Sequence, residues 1–260
     1  MNVHVGEKGV HWTRLHVGGT PGHGSRPLRT DNALVKAAQI VQRIHDYRPQ
    51  TQIGEVWRRY VEGMAFAPEI ASTLLDPARV WEFVHETPRV ALARHAHACT
   101  HTTFSPNVMH GGVKTNVIPD RVSLDVDIRT LPGQTGEEID AMLAEIIGPD
   151  LAADVTIEPI HQAPASASPI DTPLWDSLAR VTGRLVPGAA LVPGLIVGGT
   201  DARFFRAAGT VSYGFGLFSN RLTAERYGAM FHGHDERIDT ESLRLTTELW
   251  LALADDLLAG

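Results

Sequence analysis

The chain has 260 residues, 43% of them hydrophobic and 20% charged, with 24 glycines and 16 prolines. This composition predicts a folded chain of one or two domains and excludes a disordered one. A net charge of −7 argues against a nucleic-acid-binding surface, because such surfaces rely on Lys and Arg. No stretch is long and apolar enough to cross a membrane, and residues 1–8 lack the pattern of a signal peptide. A single cysteine, Cys99, excludes an internal disulfide, so we expect a cytoplasmic protein that acts on a small molecule or peptide.

The first part of the chain predicts a ferredoxin-like sandwich. Residues 10–17 alternate between apolar and polar, which is typical of a strand with one buried face. We expect a helix from an N-cap at Asp31 to about Tyr47. Its core-facing side chains are predicted to be Leu34, Ala37, Ala38, Val41 and Ile44. Further strands are expected at residues 97–105, 107–113, 121–129 and 154–160, with a helix at residues 135–147. With one strand interrupted by a turn, the order is β-α-β-β-α-β.

Two features divide the rest of the chain. Residues 49–94 form an insertion after the first helix, and Trp57, Trp81 and Phe83 favour a packed helical excursion over a loose loop. The small, proline-interrupted residues 162–169 are typical of a linker.

The segment beyond that linker predicts a partial α/β layer with parallel-type strands. It consists of a helix at residues 172–182, a strand at 191–197, a helix near Asp201, a strand at 210–215 and a terminal helix from Asp239. Because two parallel strands cannot form a stable buried sheet alone, we expect part of this layer to be missing.

Four short segments combine glycine with residues that bind ligands. Residues 19–27 read Gly-Thr-Pro-Gly-His-Gly-Ser-Arg-Pro, and residues 111–120 read Gly-Gly-Val-Lys-Thr-Asn-Val-Ile-Pro-Asp. Residues 198–204 read Gly-Gly-Thr-Asp-Ala-Arg-Phe, and residues 231–238 read Phe-His-Gly-His-Asp-Glu-Arg-Ile. Glycine lets a backbone approach a ligand closely, and together the four are more specific than any one of them.

In the order and spacing of these segments the chain resembles the M20 family of aminoacylases, carboxypeptidases and succinyl-diaminopimelate desuccinylases. The resemblance implies an α/β zinc-peptidase-like catalytic domain interrupted by a ferredoxin-like lid that also forms the dimer interface. It divides this chain into the end of a catalytic-domain strand (residues 1–8), the lid (9–161, with the insertion at 49–94) and the C-terminal part of the catalytic domain (162–260).

The resemblance also implies roles for single residues. His23 matches the lid histidine that stabilises the oxyanion in the partner subunit's site, and Asn116 matches an asparagine that fixes the substrate, also in trans. Arg129 matches the arginine that binds a substrate carboxylate. Two residues, Gly199 and Thr200, match the loop that lines the substrate pocket. The last metal ligand matches His232.

Each of these residues also has a plainer interpretation. His23 could be a surface-loop histidine, and Asn116 could make an Asx turn. Arg129 could form an ion pair with Asp127 or Glu137. In place of His232, its neighbours His234, Asp235 or Glu236 could be the ligand.

The resemblance implies two zinc ions, and most of their ligands and the general base belong to segments ahead of the lid in this family. This sequence has no His-x-Asp pair, and its Glu137–Glu138 pair stands at a predicted helix start, where carboxylates are favoured by the helix dipole. His95, His97 and His101 suggest another zinc site, since His95 and His97 would share one face of a strand, but no acidic or thiolate partner is evident.

We therefore expect a metal-dependent hydrolase of N-acyl amino acids or small peptides that forms a homodimer through its lid. It is expected to lack the N-terminal catalytic segment and to be inactive as an isolated chain. The alternative is a non-catalytic dimerisation or scaffold module derived from that family.

Overall fold

The protein's structure, a computed structural model, describes residues 1–221, 223–228, 230 and 233–258. Its strands are β1 (Asn2–Glu7), β2 (Gly9–Gly18), β3 (Gly22–His23), β4 (Thr103–Gly111), β5 (Val117–Ile118), β6 (Arg121–Thr130), β7 (Val155–Ala163), β8 (Ser166–Ala167) and β9 (Val192–Ile196). Its helices are α1 (Ala33–Asp46), α2 (Glu55–Gly63), α3 (Pro68–Leu74), α4 (Val80–Glu86), α5 (Val90–Thr100), α6 (Gly136–Ile147), α7 (Pro173–Leu185), α8 (Ala202–Ala207), α9 (Ala224–Gly228) and α10 (Thr240–Leu258).

An antiparallel sheet in the order β4-β6-β2-β7 carries α1 and α6 on one face. The strands alternate as predicted: Leu15 and Val17 on β2 pack with Leu124 and Val126 on β6 in a core that α1 and α6 close. The helix α6 begins at a capping box formed by Thr135 and Glu138. The β-α-β-β-α-β order of the ferredoxin-like sandwich is confirmed.

The opposite face of this sheet is not covered by helices of the same core and is polar. Arg14 pairs across it with Asp125 on β6, with Nε–Oδ1 and Nη2–Oδ2 distances of 2.6 and 2.8 Å. Trp12 and Arg129 lie on the same face. We call this surface the open face of the sheet.

A second sheet, in the order β8-β1-β9, contains one of the two predicted parallel-type strands, β9. β1 pairs in parallel with β9 and antiparallel with the short β8. Val3 and Val5 of β1 pack with Leu178 of α7 and with Leu249 and Leu253 of α10. β1 thus belongs to the same sheet as β9, although they are far apart in sequence.

The insertion folds as helices, as predicted, and bridges the two sheets. Trp57 and Tyr60 of α2 pack with Leu74 of α3 and Val80 of α4. The same cluster includes Val192 and Leu195 of β9. Across the part of the chain that the structure describes, no helix combines the length and apolarity needed to cross a bilayer.

Several local predictions were wrong. The N-cap of α1 is Asn32, whose side chain accepts the Leu34 N–H, while Asp31 pairs with Thr20 and Lys36 instead. The buried side of α1 also differs from the prediction: Leu34 and Ala38 are exposed, and the buried residues are Ala33, Ala37, Ile40 and Ile44.

The strand predicted at residues 97–105 is helical up to Thr100, and β4 is one strand with an irregularity between Pro106 and Val108. Residues 210–215, predicted as a strand, contribute only an isolated bridge between Gly214 and His4.

Candidate functional site

His23 and Asn116 are brought together by a small two-stranded sheet. β3 pairs with β5, so that His23 lies opposite Val117, the residue after Asn116. The N–H of Gly24 donates to the Asn116 carbonyl at 2.8 Å. A Cβ at position 24 would lie 3.1 to 3.2 Å from the Asn116 backbone, so this close approach favours glycine. Both predicted side chains are exposed and can reach a ligand.

Ser25 determines which nitrogen of His23 can donate a proton. The Ser25 N–H donates to His23 Nδ1 at 3.2 Å, and Ser25 Oγ lies 2.8 Å from the same nitrogen. Because Nδ1 accepts, a neutral imidazole carries its proton on Nε2. An exposed Nε2–H is the donor that an oxyanion requires. Ser25 was not predicted from the sequence, although its place two residues after His23 in the turn was a usable signal.

Arg129 lies on the open face of the sheet and is held by Asp127 and Trp12. Its Nε and Nη2 donate to the two Asp127 carboxylate oxygens at 2.6 and 3.0 Å. The Trp12 indole N–H donates to the same Asp127 at 2.8 Å, and the guanidinium lies 5.5 Å from the indole centroid. Of the two ion pairs left open by the sequence, the structure has the one with Asp127. The Nη1/Nη2 edge of the fork remains for a second carboxylate.

The loop of residues 198–200, here called the pocket loop, lies next to the Arg129 end of the sheet. Val10 is the cross-strand partner of Arg129, and residues so paired lie on one face. A Cβ at Gly199 would lie 4.0 Å from the Val10 side chain and 3.2 Å from Arg203 Nη1. The structure therefore places Arg129, Gly199 and Thr200 in one neighbourhood.

A buried carboxylate that the sequence analysis missed holds the pocket loop. Glu7 is 1% exposed, and its Oε2 accepts both the N–H and the hydroxyl of Thr200, the latter at 2.7 Å. Arg206 Nη1 and Ser166 Oγ each lie 3.4 Å from the other oxygen, Oε1. The signal was a charged pair, Glu7 and Lys8, directly after the strand-like residues 3–5.

The two groups of predicted residues lie at opposite ends of β2. Arg129 is beside Val10 near its start, whereas Gly18 at its end leads into the turn that carries His23. Eight residues of extended chain span roughly 27 Å. His23 and Asn116 therefore form one group, and Arg129 with the pocket loop forms the other.

The predicted metal ligand His232 lies outside the described residues. Its neighbour His234 is exposed, and Asp235 has a φ of 62°. Nearby, a cleft of 220 Å³ is lined by Tyr227, Met230, Glu236, Arg237 and Ile238.

His95 and His97 lie on α5, His101 is its C-cap, and all three pack on aromatic rings. His95 and His97 do not share a face, because positions two apart on a helix diverge. His95 contacts the Tyr60 ring at a centroid distance of 5.0 Å, while His97 stacks on His101 at 4.9 Å and Trp81 lies edge-on to both. Burial lowers the pKa of His95 and His97 and lowers that of His101 to about 4.

Lys8 and Cys99 are further buried titratable groups near this helix. The Lys8 ammonium donates to the carbonyls of Ala98 and His101 at 2.8 and 2.7 Å, which satisfies the C-terminal end of α5. Burial lowers the pKa of Lys8 to about 7 and raises that of the Cys99 thiol to about 12. Cys99 is thus an inert packing residue at neutral pH.

A match to a known family model shows which protein family the chain belongs to. The family model of the M20 peptidase dimerisation domain matches residues 5–155, which is more than half of the chain. The chain belongs to the M20 peptidase family. The matched segment contains His23, Asn116 and Arg129, and it starts within β1 and ends at the first residue of β7.

Curated relatives of this M20 chain extend the match to its C-terminal part. The N-fatty-acyl-amino acid synthase/hydrolase of Xenopus tropicalis is 25% identical over 249 residues, covering 95% of this chain and 48% of the relative. Human aminoacylase-1 is 23% identical over 243 residues, covering 92% of this chain and 48% of the relative. The chain thus spans about half the length of these curated relatives.

Solved structures support the fold of the M20 chain. The dipeptidase Dug1p of Saccharomyces cerevisiae superposes with a TM-score of 0.65 at 15% identity, covering 99% of this chain and 56% of that one. Human carnosine dipeptidase 1 superposes with a TM-score of 0.62 at 14% identity, covering 100% and 57%. At these identities the likeness concerns the fold alone.

Proposed function

We propose that this chain acts in the hydrolysis of amide bonds in N-acyl amino acids or small peptides and supplies the substrate-binding side of that site. Arg129 binds the substrate carboxylate through its Nη1/Nη2 edge, and the pocket loop contacts the substrate beside it. The Nε2–H of His23 donates to the oxyanion, and Asn116 holds the substrate next to it. The names of the relatives from Xenopus tropicalis and human support this substrate class.

One observation carries the proposal: the two groups are separated by roughly the 27 Å length of β2. Two extended residues span only about 7 Å. A dipeptide-sized substrate bound at Arg129 therefore cannot reach His23 of the same chain. A homodimer resolves this conflict, because His23 and Asn116 of one subunit then complete the site that Arg129 and the pocket loop begin in the other.

The two zinc ions that the family implies do not fit the described residues. Within residues 1–221, 223–228, 230 and 233–258, no group of three or more His, Cys, Asp or Glu side chains could hold a metal ion. A two-metal site needs a bridging carboxylate, further ligands and a base that activates water. His232 alone cannot supply these. We propose that the isolated chain binds the substrate without turning it over.

A binding and turnover assay on the purified chain tests this proposal. With N-acetyl-L-leucine as the probe, we expect saturable binding, no turnover after zinc addition and no stoichiometric zinc in the protein. Turnover on the order of 1 s⁻¹ or faster that is abolished by His232→Ala would contradict the proposal, since that is an ordinary enzymatic rate.

The alternative function is a dimerisation or scaffold module, favoured by the exposed edge at α1 and β4. β4 is an outer strand of its sheet, and it exposes Val108 and Met109 at 43% each. The adjacent α1 exposes Leu34 at 44% and Val35 at 54%. An outer strand with exposed apolar side chains can pair with a second copy about a two-fold axis.

Light scattering at micromolar concentrations tests whether this edge pairs. We expect a dimer for the wild-type chain and for Ile157→Lys, a matched control on the other outer strand, β7. Val108→Lys on β4 should give a monomer, because it places charges at the pairing edge. A strictly monomeric wild-type chain would contradict both the scaffold function and the shared site.

A further inference from the structure

We infer that Glu7 is a positioning residue that holds the pocket loop in the geometry that receives the substrate. This inference rests on the proposed function for the identity of the ligand. The contacts between Glu7 and the loop support this positioning role whatever the ligand is.

The register of the second sheet places Glu7 beside the loop. Glu7 is the last residue of β1 and pairs with Ile196, the last residue of β9. The next backbone contact continues this pairing, since the Lys8 N–H donates to the Ile196 carbonyl at 3.0 Å. The Glu7 side chain therefore starts where β9 ends and the chain enters residues 197–200.

Two donors of a single residue converge on one Glu7 oxygen. Oε2 accepts the Thr200 backbone N–H and, at 2.7 Å, the Thr200 hydroxyl. Together these contacts restrain the backbone and χ1 of Thr200. Thr200 Oγ1 also accepts the Ala202 N–H at 3.3 Å, which links this fixed residue to the start of α8.

The other Glu7 oxygen fixes the end of the same helix. Arg206 of α8, with a side chain 6% exposed, lies 3.4 Å from Oε1. A buried carboxylate is tolerated only when charge and hydrogen bonds compensate its lost hydration. Because Thr200 and Arg206 supply this compensation, loss of the Glu7 carboxylate releases Thr200 in the pocket loop and Arg206 on α8.

The pocket loop that Glu7 holds has backbone N–H groups that can donate to a ligand. Among the described residues, the N–H groups of Gly198 and Gly199 make no hydrogen bond within the chain, and Gly199 is exposed. Backbone N–H groups that have no internal partner bind water or ligand oxygens. Gly199 directly precedes Thr200, so the contacts of Thr200 with Glu7 restrain the end of the segment that carries these groups. Glu7 thus acts on the substrate through the loop and does not touch it.

Nuclear magnetic resonance of the ¹⁵N-labelled chain tests this role. A backbone N–H that donates to a carboxylate has a downfield proton shift and exchanges slowly with solvent. In Glu7→Gln we expect the Thr200 amide proton to move upfield and its exchange to accelerate about tenfold or more, since charge-assisted hydrogen bonds are lost. We expect affinity for N-acetyl-L-leucine to fall by a similar factor.

The controls separate positioning from general stability. Ser166→Ala removes the 3.4 Å contact to Oε1 and should leave the Thr200 amide unchanged. If Glu7→Gln does not fold, Thr200→Val removes one of the two donors at similar volume. The remaining N–H at position 200 should then exchange faster with solvent, because one of the two contacts that restrain the loop is lost.

An unchanged Thr200 amide in a folded Glu7→Gln chain would overturn the inference. Equal amide exchange at position 200 in Thr200→Val and the wild type would also overturn it. If the wild type does not bind N-acetyl-L-leucine, the proposed function fails, while the Thr200 amide still decides the role of Glu7.

Discussion

At the scale of single residues, the tautomer of His23 depends on Ser25. In the neutral imidazole of the wild-type chain we expect the Nε2–H tautomer, because Nδ1 accepts from Ser25. In Ser25→Ala the hydroxyl contact at 2.8 Å is lost, so the Nδ1–H form should increase. Long-range ¹H–¹⁵N spectra of the imidazole distinguish the two forms. A dominant Nδ1–H form in the wild type would contradict the oxyanion role of His23.

Arg129 offers a second test because the open face holds a matched arginine. In Arg129→Lys the planar fork becomes a point charge, and we expect affinity for N-acetyl-L-leucine to fall about tenfold or more. Arg14, which forms a similar two-contact pair with Asp125 on the same face, provides the control. Arg14→Lys should leave the affinity unchanged. Equal losses in both variants would show that Arg129 has no specific role.

The partners of these residues were predictable only where they are close in sequence. Asp127 and Arg129 lie two apart on one strand and therefore share a face, so the sequence could offer this pair as an alternative. Glu7 and Thr200 are separated by 193 positions. Their contact depends on the pairing of β1 with β9, which residue patterns do not specify.

At the scale of elements, α5 shows why local pattern is insufficient. Residues 97–105 read as a strand, yet His97 to Thr100 complete α5. Tertiary contacts decide the outcome: Ala96 and Cys99 are buried against Trp57 and the other insertion helices. The Lys8 ammonium binds the final carbonyls of α5. None of these partners lies within the window from which a strand was predicted.

The buried end of α5 predicts that acid destabilises the fold. The pKa of His101 is lowered from 6.5 to about 4, mainly by burial; the charges of His97, Lys8 and His85 also lower it, and a hydrogen bond with the His97 backbone raises it. Between pH 6.5 and 4 the unfolded chain therefore binds more protons than the folded one. The contribution of His101 to stability should be complete above pH 6.5 and should be lost as the pH falls towards 4, by at most about 3 kcal/mol.

Urea unfolding between pH 7 and 4.5 measures this dependence. The His101→Gln chain keeps a buried polar side chain but has no proton to gain, so its stability should vary less over the same range. If wild type and His101→Gln lose stability with the same slope, His101 does not control the acid response.

At the scale of the whole molecule, the sequence predicted the strands and helices of the sandwich better than the contacts that connect the two sheets. Period-two patterns on β2 and β6 and apolar faces on α1 and α6 were sufficient for the ferredoxin-like sandwich. The second sheet was less predictable, since β8 has two residues and residues 210–215 make only one bridge. So short a strand has no periodicity to detect.

The family resemblance implied a boundary after residue 8, but the contacts at this junction were not predicted. β1 and β2 are consecutive in the chain but belong to different sheets. Between them, the buried Glu7 binds the pocket loop and the buried Lys8 binds α5. A Cβ at the next residue, Gly9, would lie 2.3 Å from Thr130 Oγ1, so the backbones approach closely where the sheets meet.

The separation of the two residue groups along β2 requires a site shared between two chains, and subunit mixing tests this requirement most directly. His23→Ala and Arg129→Ala chains should each bind N-acetyl-L-leucine poorly. When they are refolded together at equal amounts, half of the dimers are mixed, and each mixed dimer has one intact site. Calorimetry should then find about a quarter of the wild-type number of sites, as two-fold symmetry requires. A mixture that binds no more than the separate variants would contradict a site shared between two chains.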